Sequence, residues 1–247
     1  MKVDILASGS KGNCIALTSN NSTILIDAGI AKTKIEKALL DVGILPQNIE
    51  AIFITHAHKD HTKGLPLANK YKIPVYAPVD EWKDIKNVDE DNAYSFPAGV
   101  GMKLKQFDVK SFKVHHDAFE PVGYSIYTDD TKASICLDTG KVDEEMLLEM
   151  KDSDIYIIEA NYEPDMVEVS PYPDSVKARI ISDVGHLSNE QTADALSKLV
   201  KGKGEQIYLT HLSSTNNMPA IARMTVMRAL SKKGLVAGKD YELEVIT

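Results

Sequence analysis

The feature that most constrains this chain is an apolar run that ends in a loop of imidazoles and a carboxylate. Residues 51–54 read Ala-Ile-Phe-Ile, and residues 55–61 follow as Thr-His-Ala-His-Lys-Asp-His. Three of the chain's seven histidines lie in this loop, and neutral imidazole and aspartate are ligands for zinc and similar divalent ions. A strand that ends in such a loop can present His56 and His58 to one ion, and Asp60 and His61 to a second.

Further candidate ligands follow other apolar strands. His116 comes after residues 112–114, Asp138 after residues 135–137 and His211 after residues 207–210. A carboxylate has two oxygens, so Asp138 can bridge two ions about 3.5 to 4 Å apart. His115 competes with His116, but neighbours in an extended segment face opposite ways, so only one of them should reach the ions.

Hydrophobic periodicity predicts an α/β protein. The first half is rich in strands around one helix at residues 32–40, which Gly43 ends. In the second half strands alternate with helices, and Ser188 with Gln191 predicts a capping box before the helix at 189–200. The predicted strands are 3–7, 14–18, 23–26, 51–54, 75–77, 105–114, 123–128, 133–137, 155–158, 206–209 and 241–246. The other predicted helices are 143–150 and one that begins near Pro219.

Composition indicates a soluble, acidic protein. The chain has 247 residues and a formal net charge of −8, with a pI near 5.4. This charge argues mildly against a protein that coats nucleic acid, although two divalent ions would offset about four negative charges locally. Cys14 and Cys136 suggest no disulfide scaffold. Neither a signal peptide nor a membrane-spanning apolar stretch is visible, so we expect the cytoplasm, with the oligomeric state open.

The motifs together resemble a known family. His56-x-His58-x-Asp60-His61 is similar to the HxHxDH signature of the metallo-beta-lactamase superfamily. Residues 6–14, 116–124 and 185–189 resemble its YycJ/WalJ branch of cytoplasmic bacterial phosphodiesterases or nucleases, and the resemblance covers almost the whole chain. It implies one domain over residues 1–247 with a four-layer αββα sandwich, two divalent metal ions (Zn, Mn or Fe) and a nucleic acid substrate.

The resemblance also assigns the ligands. It gives the first ion His56, His58, His116 and a bridging Asp138, and the second ion Asp60, His61, His211 and the same Asp138. Asp60 is thereby expected to be catalytic as well as a ligand. Asp27, which ends the run 24–26, matches another family motif and is expected to orient the metal loop through hydrogen bonds. In the family pattern Asp-Ala follows the ligand histidine, which favours His116 over His115.

A general acid is expected beyond the metal ligands, because a leaving alkoxide is a strong base. Residues 159–161 and 186–191 resemble the Glu and His motifs of the RNase Z branch, where such a pair is associated with protonation of the leaving group. We therefore expect His186 and Glu159 to assist the leaving group. The chain departs from the common family form at Tyr162, where histidine is usual, and a role for that position is left open.

Four polar residues are candidate substrate contacts. Ser10 and Asn13 lie in a turn punctuated by glycines that could present polar groups to a phosphate, although a plain hairpin turn fits equally well. Asn161 follows Glu159, and Ser213 follows His211. An ordinary polar loop is the alternative for Ser213.

These observations favour a binuclear metal-dependent phosphodiesterase, an exonuclease with DNA favoured over RNA, in which a metal-activated hydroxide is the nucleophile. A small-molecule cyclic phosphodiesterase shares much of the motif set and fits the acidic charge slightly better. A tRNA 3′-processing enzyme is less favoured, since no Gly/Pro-rich arm is visible. A catalytically silent regulatory metal-binding protein is the alternative from another class, and the complete ligand set argues against it.

Overall fold

Apolar runs in the first part of the chain form the buried strands of a six-stranded sheet. The structure is a computed structural model that describes residues 1–247. The sheet has the order β1-β2-β3-β4-β5-β6, antiparallel from β1 to β3 and parallel from β3 to β6. Its strands are β1 Lys2–Ala7, β2 Cys14–Ser19, β3 Ser22–Ile26, β4 Ile49–Phe53, β5 Val75–Ala77 and β6 Ala93–Ser95.

The helices that follow these strands are short. Ile35 and Leu39 lie four residues apart on α1, so both face one side of the helix, where they are fully buried with Leu25 and Ile52 of the sheet. The helix ends before Gly43, which has a φ of +80° that glycine adopts without strain. The helices are α1 Lys32–Asp41, α2 Lys59–Thr62 and α3 Pro66–Tyr71, with short 3-10 turns at Pro46–Asn48, Asp80–Lys83 and Glu90–Asn92.

The second sheet has seven strands in the order β13-β12-β11-β10-β9-β8-β7. Its strands β10 to β13 pair in parallel, whereas β9 with β10 and β7 with β8 pair antiparallel. The strands are β7 Gly101–Lys103, β8 Asp108–Lys113, β9 Val122–Tyr127, β10 Lys132–Cys136, β11 Ile155–Glu159, β12 Glu205–Thr210 and β13 Tyr241–Val245.

Helices join the parallel strands of this sheet, as parallel pairing requires. Leu196 of the seventh helix and Val226 of the eighth are fully buried in one apolar cluster with Ile158 and Leu209 of β11 and β12. The helices of this part are α4 Glu144–Met150, α5 Pro164–Val169, α6 Asp174–Ile180, α7 Asn189–Leu199 and α8 Pro219–Ser231.

The chain divides into two units with dense internal contacts. One comprises residues 1–111 and 118–122, and the other comprises residues 112–117 and 123–247. The expectation of one domain over residues 1–247 stays a prediction. No helix among residues 1–247 has both the length and the apolar character needed to span a bilayer.

Most predicted elements exist within two residues of their expected bounds, and the capping box at Ser188 is confirmed. The strand predicted at 105–114 is wrong at its start. Residues 104–107 form a hairpin turn, in which the Leu104 N–H donates to the Phe107 carbonyl oxygen at 2.7 Å, and β7 precedes it. The prediction failed because Lys-Gln-Phe continues the alternation of the strand while the backbone reverses there.

Candidate functional site

The histidine loop begins where β4 ends and carries four polar side chains of the first unit. His56 and His61 are buried, and His58 and Asp60 are partly exposed. Nε2 of His56 lies 3.0 Å from Nδ1 of His58, so two potential ligand nitrogens converge. His58 is the N-cap residue of α2 and His61 lies within this helix, which turns Asp60 and His61 away from the strand direction.

Asp27 is the hydrogen-bonding centre beneath this loop. It is fully buried at the end of β3, and its carboxylate accepts the Thr55 N–H at 2.8 Å and the Thr55 hydroxyl at 2.9 Å. Its Oδ2 lies 2.7 Å from Nδ1 of His61, so this nitrogen donates and Nε2 is the ligand nitrogen of that ring. Burial raises the pKa of Asp27, although His61 and Thr55 act against this shift. These are the contacts expected of an orienting residue, a role that stays a prediction.

Close backbone packing also fixes the loop. The Asn13 N–H donates to the carbonyl oxygen of Asp60 at 2.8 Å, and a Cβ added to Gly29 would lie 1.6 Å from that oxygen. The side chain of Asn13 is buried, accepts the Gly9 N–H at 3.0 Å and lies 3.2 Å from Nε2 of His61. The predicted substrate contact Asn13 therefore shapes the turn, whereas Ser10 on the same turn is exposed.

The second unit brings three predicted ligands to the ends of its strands. His116 is buried, and its Nδ1–H donates to the Gly185 carbonyl at 3.1 Å while Nε2 lies 3.9 Å from Oδ2 of Asp138. Nδ1 of His211 lies 2.7 Å from Oδ1 of Asp138. Burial lowers the pKa of His116, which favours the neutral imidazole that a metal requires.

Three predicted site residues have left-handed backbone conformations. φ is +61° at Asp27, +45° at Asp138 and +54° at His211. Each follows a strand directly or within two residues, and this conformation reverses the chain there. Left-handed residues other than glycine are uncommon and are found disproportionately at functional sites.

His115 and His116 separate as alternation predicts. Nε2 of His115 lies 2.6 Å from Oδ2 of Asp143, the N-cap residue of α4, and its backbone N–H donates to the Thr139 hydroxyl at 3.0 Å. The side chain of His115 is about one third exposed, whereas that of His116 is buried. His115 thus serves the start of α4, and His116 is the histidine that approaches Asp138.

Glu159 at the end of β11 joins the loops around Asp138 and His186. It is fully buried, and its carboxylate accepts the Thr139 N–H at 2.6 Å and the Leu187 N–H at 3.3 Å. Its Oε2 lies 3.0 Å from Nδ1 of His186. The candidate ligand atoms of Asp138, Glu159, His186 and His211 all lie within 4.8 Å of one another.

The two members of this pair shift each other's protonation. Burial disfavours the charged form of both side chains, but their mutual attraction and hydrogen bond outweigh it. The pKa of Glu159 is lowered, and the pKa of His186 is raised, with Asp138 adding to the latter shift. A protonated imidazole against a carboxylate is therefore favoured.

The remaining predicted contacts support the loop after β12. The Asn161 side-chain amide donates to the His211 carbonyl oxygen at 2.8 Å, and the Ser213 N–H donates to the Asn161 carbonyl oxygen at 2.9 Å. The Ser213 hydroxyl accepts the Asn216 N–H at 3.0 Å. Tyr162, where the family usually has histidine, is buried.

Sequence reasoning missed an ion pair beside His116. Arg179 in α6 forms a bidentate pair with Asp117 at 2.6 and 2.8 Å, and Oδ1 of Asp117 lies 3.3 Å from Nε2 of His116. It also missed Glu81, a buried carboxylate beneath the histidine loop. A lone charged residue in a polar stretch carries no signal of such a contact, since it usually faces solvent.

The donor set fits divalent transition metals. Imidazole nitrogens and carboxylate oxygens converge within each unit, and this combination suits zinc, manganese or iron. The residues that could hold such ions are the seven predicted from the sequence, His56, His58, Asp60, His61, His116, Asp138 and His211.

Known proteins with similar sequences and folds extend over nearly the whole chain. Residues 22–212 match the family model described as "Beta-lactamase superfamily domain". The chain is 36% identical over 244 residues to the exodeoxyribonuclease YycJ of Bacillus anthracis, covering 97% of this chain and 92% of that protein. It is 36% identical over 249 residues to the exodeoxyribonuclease WalJ of Streptococcus pneumoniae, covering 98% and 93%.

A solved structure identifies the fold. The metallo-beta-lactamase fold protein YhfI of Bacillus subtilis superposes with a TM-score of 0.74 at 15% sequence identity, covering 99% of this chain and 96% of that one. The comparisons confirm the predicted αββα fold class and the expectation of a metal-dependent hydrolase. From the histidine loop, the fold and the sequence similarity together, this chain belongs to the beta-lactamase superfamily.

Proposed function

We propose that this chain is an exonuclease that hydrolyses phosphodiester bonds in DNA. The observation that carries the proposal is the buried Glu159–His186 pair beside Asp138 and His211, because it combines a proton donor with metal-ligand chemistry. Two relatives that match almost the full chain are named exodeoxyribonucleases, which supports DNA as the substrate.

For the metal ions we propose the ligand set that the family motif assigns. His56, His58 and His116 would hold one ion, and Asp60, His61 and His211 would hold the other, with Asp138 as a ligand of both. When bound, such ions supply a water molecule of lowered pKa and polarise the phosphoryl oxygen. Asp27 would keep the His61 ring in the required tautomer.

His186 would protonate the leaving oxygen. Its Nδ1–H donates to Glu159, so the proton to be transferred is on Nε2. The carboxylate holds the ring in one orientation and stabilises the imidazolium before transfer. Glu159 would also fix the turn after Asp138, because it accepts the Thr139 N–H.

A small cyclic phosphodiester is a second candidate substrate. The net charge of −8 favours it, since a small substrate needs no long basic track. The test is an activity panel with end-labelled single-stranded and double-stranded DNA, RNA and a cyclic nucleotide, each with Zn²⁺, Mn²⁺ or Fe²⁺. We expect progressive shortening of DNA. Turnover of the cyclic nucleotide alone would replace the proposal, and no turnover by metal-loaded protein would favour a regulatory metal-binding protein.

The His186→Ala variant tests the proposed mechanism. We expect DNA cleavage to slow by about 100-fold or more, because a general acid contributes about 10²- to 10⁴-fold, while the bound metal content stays unchanged. The matched control is His115→Ala, which removes a histidine paired with Asp143 and should keep most of the activity. Unchanged turnover in His186→Ala would remove this residue from the mechanism.

A further inference from the structure

A buried carboxylate lies outside the predicted site but contacts its loop. Glu81 belongs to the 3-10 turn Asp80–Lys83 after β5, and its side chain is fully buried. Oε2 accepts the N–H of Ala57 at 2.6 Å, and Oε1 accepts the N–H of Glu120 at 2.6 Å. Its hydrogen-bond partners are therefore backbone amides of two other segments of the same unit, one of them in the histidine loop.

The burial of Glu81 needs a reason, because an ionised carboxylate loses its hydration when it is removed from water. Short bonds from backbone N–H groups offset this loss, and charge-assisted bonds of this length are about twice as strong as neutral ones. Burial raises the pKa of Glu81, whereas the N–H groups of Glu120 and Ala57 act against this shift. Neighbouring acidic residues of this region, such as Glu90 and Asp91, are exposed instead.

The partner of Glu81 has a special position. Ala57 is the residue between His56 and His58, whose ring nitrogens lie 3.0 Å apart. Its N–H belongs to the peptide plane that joins residue 57 to His56, so the bond to Glu81 restricts rotation of that plane. A rotation there would move the Cα atoms on which both rings are carried, because the backbone has only two soft dihedral angles per residue.

We propose that Glu81 is a positioning residue that holds His56 and His58 in the geometry for binding metal. The proposal rests on the proposed function, because it has meaning only if these two histidines are ligands. Outer residues that orient ligands typically change metal affinity by about 10- to 100-fold when they are replaced. Glu81 would do this through the backbone of the loop, whereas Asp27 contacts the His61 ring directly.

Two substitutions separate position from charge. Glu81→Gln keeps the size of the side chain but removes the charge and replaces one acceptor with an amide donor that faces an N–H. Glu81→Asp keeps the charge but is one methylene shorter, so it cannot span the N–H groups of Ala57 and Glu120 together. The matched control is Glu90→Gln, which removes the same charge from an exposed side chain in the same unit.

The measurement is the Zn²⁺ dissociation constant of each metal-free protein, by competition with a chromophoric chelator, together with the Co²⁺ absorption spectrum. We expect both Glu81 variants to bind Zn²⁺ about 10- to 100-fold more weakly than wild type and to show an altered Co²⁺ band. Glu90→Gln should match wild type in both readings. Circular dichroism of the metal-free proteins shows whether each variant is folded.

Each other outcome decides against the proposal. Folded Glu81 variants with wild-type affinity would overturn it and leave the proposed function intact. Weak binding by Glu81→Gln with normal binding by Glu81→Asp would assign the effect to charge instead of position. A variant unfolded without metal would mean that Glu81 holds the fold itself. Failure of the wild-type protein to bind Zn²⁺, Mn²⁺ or Fe²⁺ would instead reject the proposed function.

Discussion

Among single residues, Gly29 shows how tightly the backbone is packed under the histidine loop. It follows the Asp27-Ala28 pair, and a Cβ at this position would lie 1.6 Å from the Asp60 carbonyl oxygen and 2.5 Å from the Asn13 nitrogen. Real Cβ atoms do not approach backbone atoms so closely, so one segment would have to shift. The hydrogen bond from Asn13 to Asp60 lies in the same contact and would be displaced with it.

Gly29→Ala should therefore lower both stability and metal affinity. Overpacking of a dense interior costs about 1 to 3 kcal/mol, and a backbone contact has little freedom to relax. Urea unfolding of metal-free protein and Zn²⁺ titration would measure the two effects. Gly101→Ala is the control, because its nearest contact would be a Val109 oxygen at 3.9 Å. Equal stability of Gly29→Ala and Gly101→Ala would show that the Asp60 segment moves freely.

Single-residue predictions from sequence succeeded where a local rule applied. The choice of His116 over His115 followed from alternation along an extended segment, and the structure separates the two rings accordingly. Glu81 could not be predicted in this way, because Asp80-Glu81 reads as a solvated charged pair. Its burial depends on contacts with residues 57 and 120, which are 24 and 39 positions away.

At the scale of elements, the N-terminus of α7 joins helix capping to the candidate general acid. The Ser188 hydroxyl accepts the Gln191 N–H at 3.2 Å, and the Gln191 side chain accepts the Ser188 N–H at 2.8 Å. Leu187, directly before the cap, donates its N–H to Glu159 at 3.3 Å. The cap thus fixes the chain direction just after His186.

Ser188→Ala should cost about 1 kcal/mol of unfolding free energy, the usual effect of removing an N-cap hydroxyl. The control is Ser197→Ala near the end of the same helix, where the exposed hydroxyl donates only to the Asp194 carbonyl oxygen. Urea unfolding of both variants at equal protein concentration makes the comparison. If Ser197→Ala were the more destabilised of the two, the cap would have no measurable role.

The elements missed from the sequence share a physical cause. In α5 and α6 only Val167 and Ile180 are buried, so neither helix has an apolar stripe with a period of 3.6 residues. In β6 the residues are half-buried or exposed, which gives no alternation. By contrast α7 has six buried residues on its inner face, and its pattern predicted it correctly.

For the whole molecule, charge is the property that metal binding would change most. The chain carries a net charge of −8, and each unit contributes buried histidines and carboxylates to the proposed ligand set. A ligand that binds only the folded state stabilises it by mass action, and metal ligands that are far apart in sequence do not bind as a set in the unfolded chain. Stability should therefore depend on the metal ion.

Zn²⁺ at about 1,000 times its dissociation constant should raise the melting temperature by about 10 °C relative to chelator-treated protein. The expected gain is about 4 kcal/mol, and about 2 to 4 °C follow per kcal/mol in a chain of this size. Differential scanning fluorimetry would show this rise and its reversal by chelator. Asp138→Ala should bind at least one ion fewer and show a smaller rise. An Asp138→Ala variant that keeps full metal occupancy would mean that another residue bridges.

The left-handed backbone at Asp27, Asp138 and His211 has a consequence for engineering this protein. Glycine adopts this conformation without strain, and replacement by glycine at such a position can relieve local energy. A directed-evolution campaign that rewarded heat tolerance alone would therefore favour glycine at position 211 and discard the imidazole. Thermostable descendants of this chain should be screened for turnover at every round, since stability and activity make opposite demands on that residue.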